Sequence, residues 1–252
     1  MVARKGERHT SPPIAMTEPT YDRAYWDGRS GWEPIRAVLD HRDRLGKKNR
    51  YIDIVQKMAL SEWYEAEGRV LDLGCGTGRF TEWISHRSRQ VIGTEISGGM
   101  LRSARHRLPG GEFVLYDGQS LPFADETFQA VVAVGVLQDI PGDDAYVSLL
   151  REAGRCIERG GRLYLLDQVS DAAGRPWRTA DQVTEACALA GLVLERRRPV
   201  RKGRWWLLYL IRYGLVPSSL LERVARWELS LRERGPSRIS YYMDYLFQLK
   251  KA

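Results

Sequence analysis

Cysteine is scarce. The three present, Cys75, Cys156 and Cys187, share no CxxC spacing, which excludes a disulfide framework and a cysteine-built zinc site and reads as reduced thiols. Seven lysines stand against thirty-two arginines, a bias of composition that carries no substrate claim. The longest apolar run, Trp205 to Ile211, falls far short of the roughly 20 residues a membrane-spanning helix needs. Residues 1–20 are polar and contain no apolar core of a secretory signal. A cytoplasmic location is the expectation, either free or peripheral at a membrane.

What is present supports one folded α/β domain with additions. The 252 residues are 43% hydrophobic, 10% aromatic and 28% charged, enough to bury a core and too apolar for wholesale disorder. The net charge of +7 is unevenly spread. Residues 1–68 carry 12 basic and 11 acidic side chains, residues 69–190 carry 13 and 16, and residues 191–252 carry 14 and 5. The excess therefore belongs to the last quarter, which argues against a nucleic-acid surface spread over the whole protein and for one local basic element.

Along the chain, residues 1–19 read as a polar, proline-containing tail and residues 20–68 as a helical N-terminal cap, with Ile35, Val38, Leu39, Tyr51, Ile54, Val55, Met58 and Ala59 at helical spacings. From Arg69 strands and helices alternate. Strands are predicted at residues 69–73, 90–94, 113–116, 128–134, 162–166 and 192–200, with a helix over 179–189 opened by a Thr179/Gln182 capping box. Ile239, Tyr241, Met243, Tyr245, Phe247 and Leu249 occupy alternate positions, which predicts a last strand with one buried face. Such alternation means a mainly parallel sheet with helices on both faces. Residues 201–238, too long for a turn, read as an inserted flap, with a helical face at Leu220, Val224, Trp227 and Leu231.

The chemistry concentrates at strand ends. Val70-Leu71-Asp72-Leu73-Gly74-Cys75-Gly76-Thr77-Gly78 is a buried strand turning on glycines into a helix, a place where a ligand can approach the backbone. The spacing is G-x-G-x-G, not the G-x-G-x-x-G of dinucleotide sites, and no P-loop lysine follows. Glu95 ends the second strand, where a carboxylate can accept from two ribose hydroxyls. Asp117 follows the third strand, placed to accept from an adenine amino group, with the backbone of Gly118 or Gln119 beside it. Together these point to an adenosine-bearing ligand without a pyrophosphate.

The segments VLDLGCGTGRF, VIGTEISGGML, DGQSLPFADETFQAVVAVGVLQDI and IERGGRLYLLD resemble successive motifs of class I S-adenosylmethionine-dependent methyltransferases, over roughly residues 69–200. The resemblance implies a Rossmann-like seven-stranded sheet whose last strand is antiparallel, within a domain of residues 69–252. It implies S-adenosylmethionine as cofactor, with the methionine part surrounded by Gly74, Cys75, Gly76, Thr77 and Gly78, ribose on Glu95, adenine on Asp117, and residues near Val134 closing the sulfonium side. Asp72, Ile96, Met100, Gly118 and Gln119 complete the expected cofactor set. Many relatives have aspartate at the position of Gln129 and histidine at that of Asp139, and the Glu-x-x-Glu-His metal constellation of some O-methyltransferases is replaced here by Gly135-Val136-Leu137-Gln138-Asp139, so no bound metal is expected.

A sulfonium methyl is already activated, so the protein must chiefly align a nucleophile and exclude water. A hydroxyl acceptor additionally needs a base. Asp139 and, from the N-terminal region, His41 are the candidates. Tyr21, Tyr25, Trp26, Trp205 and Trp206 are candidates for lining the acceptor site; ordinary helix packing is the competing reading for the N-terminal aromatics. The acceptor is expected to be a small organic molecule or a lipid-like one, with methylation at O, N or C. No Asn/Asp-Pro-Pro-Tyr or Pro-Cys follows the fourth strand, so nucleic acid is not the expected partner. Three readings compete for the aromatic and basic stretch near residues 201–231: a substrate flap, a packing or homodimer surface, and a peripheral membrane contact serving a lipid or lipid-linked sugar. A cofactor-binding regulatory protein without catalysis is the non-enzymatic alternative.

Overall fold

The computed structural model describes residues 22–172, 174–233 and 241–252. The N-terminal region, expected to be helical, consists of three helices, α1 (Arg23–Arg29), α2 (Pro34–Val38) and α3 (Lys47–Ser61), separated by turns. Then follow β1 (Arg69–Leu73), α4 (Arg79–Ser85), β2 (Gln90–Glu95), α5 (Gly98–Arg107), β3 (Glu112–Leu115), β4 (Phe128–Val134), α6 (Asp143–Cys156), β5 (Ile157–Val169), α7 (Ala180–Leu189) and β6 (Leu192–Lys202). The chain closes with α8 (Trp206–Arg212), α9 (Leu221–Glu233) and β7 (Met243–Lys251). The predicted capping box of α7 is present, Thr179 and Gln182 bonding each other's backbone amides.

The seven strands form one sheet in the order β3-β2-β1-β4-β5-β7-β6. β1 to β5 pair in parallel, and β7 runs antiparallel to both β5 and β6. This is the α/β, Rossmann-like sheet with an antiparallel last strand that the sequence predicts. One face is covered by α6 and α7, whose Leu149, Leu150, Ala153, Val183 and Cys187 meet Leu71, Val131, Leu163 and Phe247. The other is covered by α3, α4, α8 and α9 against Val70, Val132, Leu166 and Leu246. Alternate strand residues therefore point into two cores, which is why the parallel strands read as continuous apolar runs.

Two sequence expectations are corrected. β7 is buried on both faces: its apolar residues Met243, Tyr245, Phe247 and Leu249 fill one core, while on the other side Asp244 and Gln248 are also buried, hydrogen-bonded to Arg201 and Arg196. Polar residues at alternate positions thus marked buried hydrogen bonding rather than a wet face. On α9 the buried stripe is Leu221, Ala225, Glu228 and Leu229, one position out of phase with the predicted face, so Leu220 and Trp227 point outward. The cause is Glu228, which accepts from the Tyr51 hydroxyl (2.6 Å) and the Lys202 amide (3.1 Å) and so brings a charged residue inward.

Candidate functional site

A cavity of about 530 Å³ lies over the carboxyl ends of the strands, within the range of small-ligand sites. Parallel sheets place binding sites there because the strand order reverses, here between β2-β1 and β4.

Its first wall is the turn after β1. Gly74, Gly76 and Gly78 all have positive φ, at 67°, 55° and 78°. A Cβ on Gly74 would come within 2.4 Å of the Val136 side chain, and one on Gly76 within 2.8 Å of Val38. Both glycines line the cavity, so absence of side chains keeps room between the turn and its neighbours. Glu95, at the end of β2, is 7% exposed, and its carboxylate accepts from Gly76 N (3.1 Å), Ile96 N (2.9 Å) and Ser97 N (3.0 Å). Burial raises its pKa, and the three amides oppose the rise. Asp72 projects from β1 beneath the turn, where burial pushes it up to about 7 against the hydrogen bond from Thr81.

The second wall is the N-terminal cap. Asp27 of α1 accepts from Ser97 Oγ (2.5 Å) and Gly99 N (3.2 Å), docking α1 on the start of α5. Arg29 organises the segment: it is 8% exposed, donates to the Tyr25 hydroxyl and to the carbonyls of Arg36 and Leu39, and lies over the rings of Tyr25, Trp26 and Trp32. Tyr25, Trp26 and Arg29 all face the cavity. Arg29 carries this arrangement and was invisible in the sequence, because its partners are carbonyls and rings rather than acids.

The third wall follows β4. Val134, Gly135 and Val136 lead into a short 3-10 turn, Leu137–Asp139, pinned by Gln138 Oε1 accepting from Gln168 N (2.9 Å). Asp139 lines the cavity, and burial pushes its carboxyl up to about 7, with the Arg29 guanidinium and the Gln138 amide holding it from going higher.

The cavity is also lined by a group of residues that the sequence did not reveal. Phe80, Trp177 and Tyr242 supply rings there, and Gln56, Arg79, Arg201 and Asp244 supply polar groups. Arg201 and Asp244, each 1% exposed, pair in a two-pronged contact with both N···O distances at 3.0 Å. Gln56 donates to Asp244 (3.2 Å) and accepts from Arg79 (2.7 Å), which also pairs with Asp53 (2.8 Å). The cations of this group are thereby matched to acids within the protein.

Of the residues expected to bind cofactor, Asp72, Gly74, Cys75, Gly76, Glu95, Ile96, Gly118 and Val134 are brought to the cavity. Thr77, Gly78, Met100, Asp117 and Gln119 are not. Thr77 is buried and donates to the Pro34 carbonyl, Gly78 packs on Ala104, and Met100 is enclosed in α5. Asp117 is turned outward to accept from the amides of Gln119 and Ser120, which lower its pKa; Tyr116 and Gly118 line the cavity in its place. Cys75 is buried, and its thiol is pushed far up by burial, so it acts as filler beneath the turn. His41 is exposed against Trp32 and does not reach the cavity. Tyr21 lies outside the described residues.

Trp205 and Trp206 are also misplaced by the sequence reading. Trp205 stacks on Trp227 at 5.9 Å, Trp206 is 64% exposed, and neither lines the cavity. Among the described residues of the segment read as a flap, only Arg201 does, because the buried residues of α8 and α9 pack on α3 and β6. Gln129, one departure from the family pattern, accepts from Gly68 N at the opposite end of β4. No group of three or more His, Cys, Asp or Glu among the described residues could hold a metal.

Residues 71–165 match a family profile described as a methyltransferase domain. A demethylmenaquinone methyltransferase of Corynebacterium kroppenstedtii is 42% identical over 95 residues, which is 38% of this chain and 39% of that protein. Methyltransferase GfsG of Streptomyces halstedii is 32% identical over 162 residues, covering 62% of this chain and 53% of its own length. The chain thus spans about half or less of the relatives it matches. Among solved structures, geranyl diphosphate C-methyltransferase from Streptomyces coelicolor A3(2) shares the fold, with a TM-score of 0.63, 15% identity and coverage of 91% of this chain and 96% of that one.

Proposed function

We propose that this protein, whose residues 71–165 match a methyltransferase-domain profile, is a class I S-adenosylmethionine-dependent enzyme that methylates a small organic acceptor held in the same cavity, against Phe80, Trp177, Tyr242, Arg201 and Asp244. The observation that carries the reading is one cavity lined both by the glycine turn with Glu95 and by rings and internally paired charges.

The residues present fit S-adenosylmethionine: the turn at Gly74 and Gly76 is a cradle that a Cβ would fill, and a buried carboxylate stands at the end of β2. When bound, that cofactor supplies an electrophilic methyl group. The chain's own tasks are then to hold, align and dehydrate. Gly74, Gly76 and Gly118 offer backbone at close approach, and Glu95 offers carboxylate oxygens to a ribose. Tyr25, Trp26 and Arg29 cover the cavity from the cap and keep water out. Alignment of two reactants is worth roughly 7–11 kcal/mol, so positioning supplies most of the acceleration. Phe80, Trp177 and Tyr242 receive the apolar body of the acceptor, while Gln56 and Gln168 offer amide groups for its orientation.

Asp139 is the proton acceptor in this reading. Its carboxylate form is the active one and exists above its pKa, so turnover of a hydroxyl acceptor should rise with pH and level off above about 7. Asp139→Asn should abolish that limb and lower kcat about 10²- to 10⁴-fold. A variant that keeps both the limb and the rate would place the base elsewhere or show that none is used.

Calorimetry with S-adenosylmethionine and S-adenosylhomocysteine tests the reading directly, and no binding of either would sink it. Incubation with methyl-labelled cofactor and extracts of the source organism then identifies the acceptor. Label appearing in nucleic acid instead of small or organic-soluble material would refute the acceptor class.

A further inference from the structure

α8 is apolar on both sides. Leu207, Leu208 and Ile211 are buried against α3, while Trp206, Tyr209 and Tyr213 are 64%, 51% and 68% exposed. The three exposed rings stand at i, i+3 and i+7, on one face of the helix. A helix with apolar residues all round is ordinarily enclosed. Here half of it is bare, and bare apolar surface extends from it. Leu215 is 70% exposed just past the helix, and Leu45, 62% exposed, lies beside Gly214. Trp227 of α9, 47% exposed, stacks on Trp205, next to Trp206. Contiguous exposure on this scale marks an interaction surface.

The charges around it say what it faces. In residues 41–47 and 204–231, Arg42, Arg44, Arg204, Arg223 and Arg226 are exposed, against the single exposed acid Glu222; Asp43 and Glu228 are buried. A second copy docking by twofold symmetry would set these arginines against themselves. Trp and Tyr rings with arginines beside them suit instead the headgroup layer of an anionic bilayer, where rings lodge at the interface and cations meet lipid phosphates. We propose that the α8 face, with Leu45, Leu215 and Trp227, docks this protein on anionic membrane surfaces.

The surface is tied to the cavity. Arg212 of α8 bonds Asp40 and the Arg42 carbonyl, and Lys47 bonds the Gly214 carbonyl. Leu39 and Asp40, on the same loop, line the cavity. The docking surface and the cavity are thus one loop apart.

Co-sedimentation with phosphatidylcholine vesicles, with and without phosphatidylglycerol, tests the proposal without any turnover, so its outcome is independent of the methyltransferase reading. The protein should sediment with the anionic vesicles, less with the neutral ones, and less at high salt. Trp206→Ser/Tyr209→Ser/Tyr213→Ser and Arg223→Glu/Arg226→Glu should each lower partitioning about tenfold or more. Unchanged thermal unfolding and cofactor binding would establish that both variants are folded. Wild-type protein remaining in the supernatant, or a serine variant sedimenting as wild type does, would overturn the proposal. So would a wild-type dimer that the serine variant converts to monomer with no vesicle binding by either.

Discussion

Arg201→Ala should lower the free energy of unfolding by about 3–5 kcal/mol, the range for removing one partner of a buried ion pair. Arg201 and Asp244 are each 1% exposed and meet through two contacts of 3.0 Å. Loss of the guanidinium leaves Asp244 with only the Gln56 amide, at 3.2 Å, in a place water does not reach freely. An uncompensated buried carboxylate is the costly outcome, more than the loss of the attraction itself. Arg201→Met with Asp244→Leu should therefore recover most of the stability, because neither charge is left unpaired. The double variant should still lose activity, since both residues line the cavity where the acceptor is proposed to bind. Urea unfolding of the two variants distinguishes these effects. A loss below about 1 kcal/mol in Arg201→Ala, the level of an exposed pair, would mean that the pair is solvated in solution.

The second large effect falls on the cofactor. Glu95→Ala should weaken S-adenosylmethionine binding about a hundredfold or more, because hydrogen bonds to a charged group contribute about 1.5–3 kcal/mol each and a ribose offers two hydroxyls. The same substitution frees the amides of Gly76, Ile96 and Ser97, which the carboxylate now gathers, so the turn after β1 also loses its anchor. Glu95→Gln separates the two contributions. It keeps an oxygen for part of the amide set but lacks the charge, and should cost about tenfold. Calorimetry reads both constants, and an affinity unchanged in Glu95→Ala would remove Glu95 from the site.

The sheet and the glycine turn were legible because their signals are local. Val70–Leu73 ends in glycines with positive φ, and β1 and β4 are short, mostly apolar runs. The group around Arg201 and Asp244 was not legible, because its members become meaningful only in pairs. Arg201 sat in a basic stretch for which a flap, a packing surface and a membrane contact competed, and Asp244 occupied the supposed exposed side of a strand; only the sheet order reveals that they meet. Arg29 escaped for a related reason, its partners being two carbonyls and three rings. Asp117 shows the opposite failure. It follows the expected strand, but it is exposed and does not line the cavity, its Oδ1 accepting from the amides of Gln119 and Ser120. For Trp205 and Trp206, aromatic bulk was read as substrate contact, whereas burial of the opposite side of α8 decides which way they face.

The position of β7 sets an order of assembly. β6 joins the sheet only through β7, and β7 also pairs with β5, so residues 243–251 clamp both neighbours at once. The half of the cavity built from β1, β2 and β4 draws its pairings from a compact stretch of sequence. The part built on Arg201 and Asp244 must wait for the last strand to slot between two others. During synthesis the part of the cavity at the glycine turn can therefore take shape while the part at Arg201 and Asp244 is still open, since long-range strand pairing is the slow step in closing a sheet.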